Sequence, residues 1–66
     1  MTTVLTPLES EVLSRIVAGQ TGKQIAAELH YSHYYIKEIM TRIRQKFRAS
    51  SMPQAVAVAF REGILL

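Results

Sequence analysis

The sequence predicts an all-α fold of four short helices in a single domain over residues 1–66. Apolar residues recur at the three- and four-residue spacing of amphipathic helices, and no segment shows the sustained alternation of a half-buried strand. A serine or threonine suited to capping a helix N-terminus precedes each predicted helix. A chain of 66 residues allows one compact core, and a domain of this size buries only about 60% of its unfolded surface.

The first predicted helix covers residues 7–18. Thr6 and Glu9 have the spacing of a capping box, Pro7 occupies the first helical position, and Gly19 ends the segment. The apolar residues expected to face the core are Leu8, Val12, Leu13, Ile16 and Val17.

The second and third predicted helices, residues 22–29 and 33–47, are separated by a short polar corner. Thr21 and Gln24 form a second capping-box pattern, and Ser32 is placed to cap the third helix. One stripe of the third helix, at positions i, i+4, i+7 and i+11, is expected to face the core. Its members are Ile36, Met40, Ile43 and Phe47.

The fourth predicted helix covers residues 52–62, opens with a third box-like pattern from Ser51 to Gln54, and ends before Gly63. Its alternation of alanine and valine could suggest a strand, but the alanines and the upstream cap favour a helix. We assign the inner face to Val56, Ala59 and Phe60. A second apolar face, which would otherwise lie toward solvent, is predicted to form a homodimer interface through Met52, Ala55 and Val58.

Positive charge is concentrated on the third helix. Residues 33–48 contain five basic residues against a single glutamate, whereas residues 1–32 contain two basic residues against three glutamates. A capped helix that presents a cationic face after a tight corner suits a polyanion such as duplex DNA. The alternative is that this charged helix face is exposed to solvent and binds no polyanion.

An ordered set of motifs resembles the LuxR/GerE-type helix-turn-helix domain of bacterial transcription regulators. The resemblance covers residues 5–65 and rests on the segments 5–7, 9–13, 25–29 and 54–59, with Gly19, Ser32, Ile36-Lys37 and Gly63. It implies that the third helix enters the major groove of DNA and that the fourth often pairs with its twin in a dimer.

The face of the third helix opposite the core contains the candidate DNA contacts. Because the N-terminal part of a recognition helix reaches base edges, Lys37, Glu38 and Thr41 are predicted to read bases, and the resemblance points to the same positions. The residues predicted to contact the phosphate backbone, through side chains or helix N-terminal amides, are Thr21, Lys23, Ser32, Tyr34, Tyr35, Arg42, Arg44, Lys46 and Arg48.

The chain also departs from the family it resembles. Members commonly have glycine at His30, threonine at Tyr35, histidine at Ile39, and a leucine-glycine pair at Phe47-Arg48. We expect Tyr31 to fill the core at the corner while His33, Tyr34 and Tyr35 lie on the surface, and direct phosphate contact by these aromatic residues is the open alternative.

Other site chemistries find little support. There is no cysteine, and His30 and His33 lie on different elements, so no metal site is expected. We find no set of nucleophile, base and orienting residue and no glycine-rich phosphate loop, which predicts a non-enzyme without a cofactor or a small-molecule ligand. No apolar run approaches the roughly 18 residues of a membrane span, and no signal peptide is apparent, so a cytoplasmic protein is expected.

The predicted function is transcription regulation by sequence-specific binding to double-stranded DNA as a dimer. The alternative is a protein-interaction module that pairs with a full-length regulator through the fourth helix and blocks it. The altered residues Tyr35 and Ile39 keep this alternative open. Whether a regulatory domain precedes these residues is not indicated by the sequence.

Overall fold

A computed structural model describes residues 3–65; positions 1, 2 and 66 of the predicted domain lie outside this range. The described chain consists of four helices, α1 (Pro7–Val17), α2 (Gly22–Leu29), α3 (His33–Lys46) and α4 (Met52–Arg61), with no strand between residues 3 and 65. All four begin at the predicted residue, and α1, α3 and α4 end one residue earlier than predicted. The predicted all-α fold is confirmed.

Side-chain caps explain where the helices begin. The Glu9 N–H donates to Thr6 Oγ1 at 3.1 Å while the Thr6 N–H donates to Glu9 Oε1 at 2.9 Å, a complete capping box. Thr21 and Gln24 form the same reciprocal pair. The third predicted box is incomplete: Ser51 caps α4, but the side-chain oxygen of Gln54 accepts from the backbone and hydroxyl of Ser50 instead of reaching back to the cap residue.

Helix α3 lies at the centre of the fold, since it packs against α1, α2 and α4. One of its sides is therefore buried, and the other remains available to a partner. The buried apolar core is drawn from all four helices and the end of α3: Val12, Leu13, Ile25, Ala26, Ile36, Ile39, Ile43, Phe47, Ala55 and Ala59.

The buried stripe of α3 is wider than predicted. Ile39, which was left out of the predicted stripe, is 1% exposed, whereas Met40 is only half-buried at the edge of the core. Positions i+3 and i+4 lie on the two sides of a helical stripe, and a helix that packs against three others can bury residues on both sides of it, fully at Ile39 and partly at Met40. Ile39 is consequently a core residue and contributes nothing to the outer face of α3.

The face assignment on α4 is confirmed for Ala59, which is buried, and for Val56, which packs against the core, and it is wrong for Ala55 and Phe60. Ala55 and Ala59 are fully buried, and Phe60, predicted to be internal, is 44% exposed. Val58 and Met52 are half-buried and pack against the core. Alanines four residues apart let the helix backbone approach the core closely, so the small side chains face inward. Ala55 is therefore not available for a dimer interface.

Two residues that leave helices adopt left-handed backbone conformations. His30 follows α2 with φ of 62°, and Arg48 follows α3 with φ of 54°. These are the two positions at which the family that the sequence resembles commonly has glycine. A residue with a Cβ atom pays roughly 1–2 kcal/mol for this conformation, whereas glycine adopts it freely.

Candidate nucleic-acid interface

The corner between α2 and α3 is closed within three residues. His30 turns the chain, the Tyr31 N–H donates to the Ala26 carbonyl at 2.9 Å, and Ser32 caps α3 by accepting from the Tyr35 N–H at 3.0 Å. The first residue of α2 lies against the first turns of α3: a Cβ atom placed on Gly22 would be 3.2 Å from His33 Nε2. The N-terminus of α2 and the exposed start of α3 are thus adjacent.

The outer side of α3 presents most of the predicted DNA contacts. Its exposed side chains include both predicted readers Lys37 and Glu38, whereas Thr41 and Arg44 are half-buried. The other exposed residues predicted to contact DNA, on α2 and α3 and at their caps, are Thr21, Lys23, Ser32, Tyr34, Tyr35, Arg42, Lys46 and Arg48.

Electrostatics within the fold leave this outer side positive. Three of the five glutamates are paired within the fold: Glu11 and Glu28 with Arg15, and Glu9 with Lys46. Between residues 3 and 65, Lys37, Arg42 and Arg48 form no salt bridge. Their charges are available to an external anion, and Glu38 is the one acid on the same helix.

Lys46 differs from the other cations of α3. Its Nζ atom lies 2.5 Å from Glu9 Oε1 and donates to the Val4 carbonyl at 3.2 Å. Burial raises the pKa of Glu9, but hydrogen bonds from Lys46 and from the Thr6 backbone outweigh it, so the pKa lies below its ordinary value. The Lys46 ammonium is therefore already paired within the fold, and a contact with phosphate would compete with these bonds.

Thr41 and Arg44 are linked in a way that their sequence spacing did not reveal. The Thr41 hydroxyl donates to the Lys37 carbonyl at 3.0 Å, and Arg44 Nη2 donates to the same hydroxyl oxygen at 3.1 Å. The predicted reader and the predicted phosphate contact therefore form one small network on α3.

The prediction for the tyrosines at the corner is confirmed for Tyr34 and Tyr35, which are exposed, and wrong for Tyr31. Tyr31 is 44% exposed and does not fill the core. Instead, its ring packs on that of Tyr35, with centroids 5.0 Å apart and a 49° angle between planes. Tyr35 occupies the capping-box position that carries glutamate in α1 and glutamine in α2. The cap of α3 therefore has only the bond from the Tyr35 N–H to the Ser32 hydroxyl, and the Tyr35 side chain packs on Tyr31 instead.

The described part of the chain contains neither a metal-binding cluster nor a membrane-spanning helix. Within residues 3–65, no group of three or more histidine, cysteine, aspartate or glutamate residues is arranged to hold a metal ion. Over the same range, none of the helices has the length and hydropathy needed to cross a membrane.

Two packed helices joined by a closed corner, the second of them half core and half cationic surface, define a helix-turn-helix domain. Residues 3–59 match the family described as bacterial regulatory proteins, luxR family. The chain belongs to this family, and the resemblance inferred from its motifs is confirmed.

Relatives in several bacteria are similar over nearly the whole chain. A probable transcriptional regulatory protein NarL of Mycobacterium tuberculosis is 40% identical over 62 residues, 94% of this chain and 29% of the relative. The transcriptional regulatory protein ComA of Bacillus subtilis is 37% identical over 62 residues, again 94% of this chain and 29% of the relative. FixJ of Bradyrhizobium diazoefficiens, another transcriptional regulatory protein, is 33% identical over 61 residues, 92% and 30% respectively. The chain thus spans less than a third of the length of these relatives.

Proposed function

We propose that this chain binds double-stranded DNA sequence-specifically and thereby regulates transcription, with α3 in the major groove. The observation that carries the proposal is the outer side of α3, where Lys37, Arg42 and Arg48 are exposed and, within the described residues, free of carboxylate partners. Uncompensated cations on one helix face are the electrostatic footprint of a DNA contact. The names of the relatives, all transcriptional regulatory proteins, support the same function.

The position of each residue on α3 decides whether it would contact bases or phosphates. Lys37 and Glu38, near the exposed start of the helix, can respectively donate to guanine and accept from cytosine. Arg42 and Arg48 lie further along and suit phosphates. Lys23, at the start of α2, would add a backbone contact, and the exposed N-termini at Thr21 and Ser32 offer backbone amides to phosphate. Tyr34 and Tyr35 complete the proposed backbone contacts. A protein acting on bacterial promoters would work in the cytoplasm.

We place the homodimer interface on the exposed side of α4, around Phe60 and Ala57, because Ala55 is in the core. A large aromatic side chain that is 44% exposed, beside a small alanine, is suited to packing on a second copy. The helix has only 10 residues, so the area buried is small and the free dimer should be weak. Two half-sites about one turn of DNA apart would hold the pair together.

The proposal is tested by measuring affinity for duplex DNA as a function of salt. With roughly four or five phosphates contacted per subunit, log Kd should vary steeply with log salt concentration, by about 0.9 per contact. Arg42→Ala should reduce this slope by about one contact. Arg61→Ala, which removes an exposed charge from α4, is the matched control on single half-site DNA and should leave the slope unchanged. Binding that does not respond to salt would contradict the proposal.

A further inference from the structure

The Thr41 hydroxyl is already committed within α3. A hydroxyl has one proton to donate, and that of Thr41 goes to the Lys37 carbonyl, 3.0 Å away. One of the two lone pairs accepts from Arg44 Nη2 at 3.1 Å. Only the second lone pair of the hydroxyl oxygen and the methyl group of Thr41 remain available to contact a base edge.

This arrangement has reasons to persist when DNA binds. Threonine is stiff at χ1 because its Cβ is branched, and in a helix its hydroxyl readily bonds the carbonyl four residues earlier. Arg44, three residues later, closes the network from the other side, and both Thr41 and Arg44 are half-buried. Donating to a base would require Thr41 to give up its bond to Lys37.

The methyl group occupies a different substituent position on Cβ and takes no part in these hydrogen bonds. In the major groove, thymine is the base that offers an apolar partner, its 5-methyl group, and threonine methyl groups contact it. Guanine and adenine N7 would instead need a donor, which Thr41 has already used.

We propose that Thr41 selects a thymine in the binding site through methyl contact, and that Arg44 is the positioning residue that keeps the hydroxyl turned away from the base. The inference rests on the proposed DNA-binding function of α3. It assigns to Thr41 a different chemistry from the hydrogen bonds expected of Lys37 and Glu38.

The experiment starts from duplexes selected from a random-sequence library by the whole chain. Each thymine of the selected site is then replaced in turn by deoxyuridine, which lacks only the 5-methyl group. At one position, the wild-type protein should lose affinity by about 3- to 10-fold, as expected for one buried methyl group and its contacts. Failure of all such replacements to reduce affinity would overturn the inference.

Two variants distinguish recognition by the methyl group of Thr41 from recognition by its hydroxyl. Thr41→Val keeps a methyl group and removes the hydroxyl, so it should still discriminate thymine from deoxyuridine at that position. Thr41→Ser keeps the hydroxyl and removes the methyl group, so the ratio of its affinities for the thymine and the deoxyuridine duplex should fall to about one. The reverse pattern, with Ser retaining discrimination and Val losing it, would show that the hydroxyl reads the base. Circular dichroism would confirm that both variants are folded.

The role of Arg44 is tested by the same ratio. Arg44→Met removes the donor and keeps a long side chain, so the thymine preference should weaken, while Arg44→Lys should retain part of it. A residue that only contacts phosphate would change affinity for both duplexes equally and leave the ratio unmoved, which would refute the positioning role. If the library selection enriches no sequence at all, the proposed function itself fails, an outcome distinct from a selected site that does not depend on thymine methyl groups.

Discussion

Replacing Lys46 by methionine should destabilise the fold, because Lys46 neutralises a buried carboxylate. In the folded chain the Glu9 side chain is 6% exposed and that of Lys46 is 35% exposed, with the two charged atoms 2.5 Å apart. Methionine keeps much of the apolar length of lysine and removes the ammonium. Glu9 would then retain its bond from the Thr6 N–H, at 2.9 Å, but would lose its counter-charge.

The magnitude lies between two limits. Removing one partner of a fully buried ion pair costs about 3–5 kcal/mol, whereas exposed pairs contribute about 0–1 kcal/mol. Since Glu9 is buried and a third of Lys46 is exposed, we expect about 1–2 kcal/mol. For a domain of this size, each kcal/mol shifts Tm by roughly 4–8 °C, so Lys46→Met should lower Tm by about 5–15 °C.

Thermal unfolding followed by circular dichroism, at neutral pH and in acid, measures this cost. The pKa of Glu9 is lowered by folding, so its contribution is present above the ordinary glutamate value of about 4.3 and is lost as pH falls through the folded pKa. The difference between wild type and Lys46→Met should therefore vanish once Glu9 is protonated. Lys23→Met, which removes an exposed lysine, is the control. An equal loss of Tm in the control, or a penalty that persists unchanged in acid, would refute the reasoning.

Two further predictions follow from the backbone and from α4. His30→Gly should raise the free energy of unfolding by about 1 kcal/mol, because glycine adopts the left-handed conformation at φ of 62° without a Cβ clash; urea denaturation measures this, and an unchanged or lower stability would show that His30 is not strained. Phe60→Glu should leave the monomer folded, since Phe60 is 44% exposed, while abolishing cooperative occupation of paired half-sites in a gel-shift titration. Cooperativity equal to that of the wild type would exclude this face of α4 from the dimer.

The helices could be predicted because their signals are local. A capping residue and its partner lie three positions apart, so Thr6 with Glu9 and Thr21 with Gln24 are visible in the sequence and occur as predicted. Side-chain periodicity, by contrast, gives the spacing of a face without its exact direction. It could not show that α4 packs through Ala55 instead of the larger Phe60, since this choice depends on how closely the helix approaches the core.

The candidate site was only partly accessible to the same reasoning. The exposure of Lys37 and Glu38 agrees with the predicted outer face of α3. The pairing of Lys46 with Glu9 was not foreseen because the two residues lie 37 positions apart in the chain, a distance at which no sequence pattern signals a contact. The Tyr31–Tyr35 packing, across a corner with a left-handed residue, likewise depends on backbone geometry that the tyrosine cluster alone does not determine.

The central claim, that the outer side of α3 reads DNA sequence, is tested most directly with Lys37→Ala on two duplexes. One duplex carries the site selected from a random library, and the other has a scrambled sequence of the same length. A base contact contributes only where its base is present, so the variant should lose about 1–3 kcal/mol of binding free energy on the selected site and much less on the scrambled one. Equal losses on both duplexes would contradict the account and make Lys37 a phosphate contact.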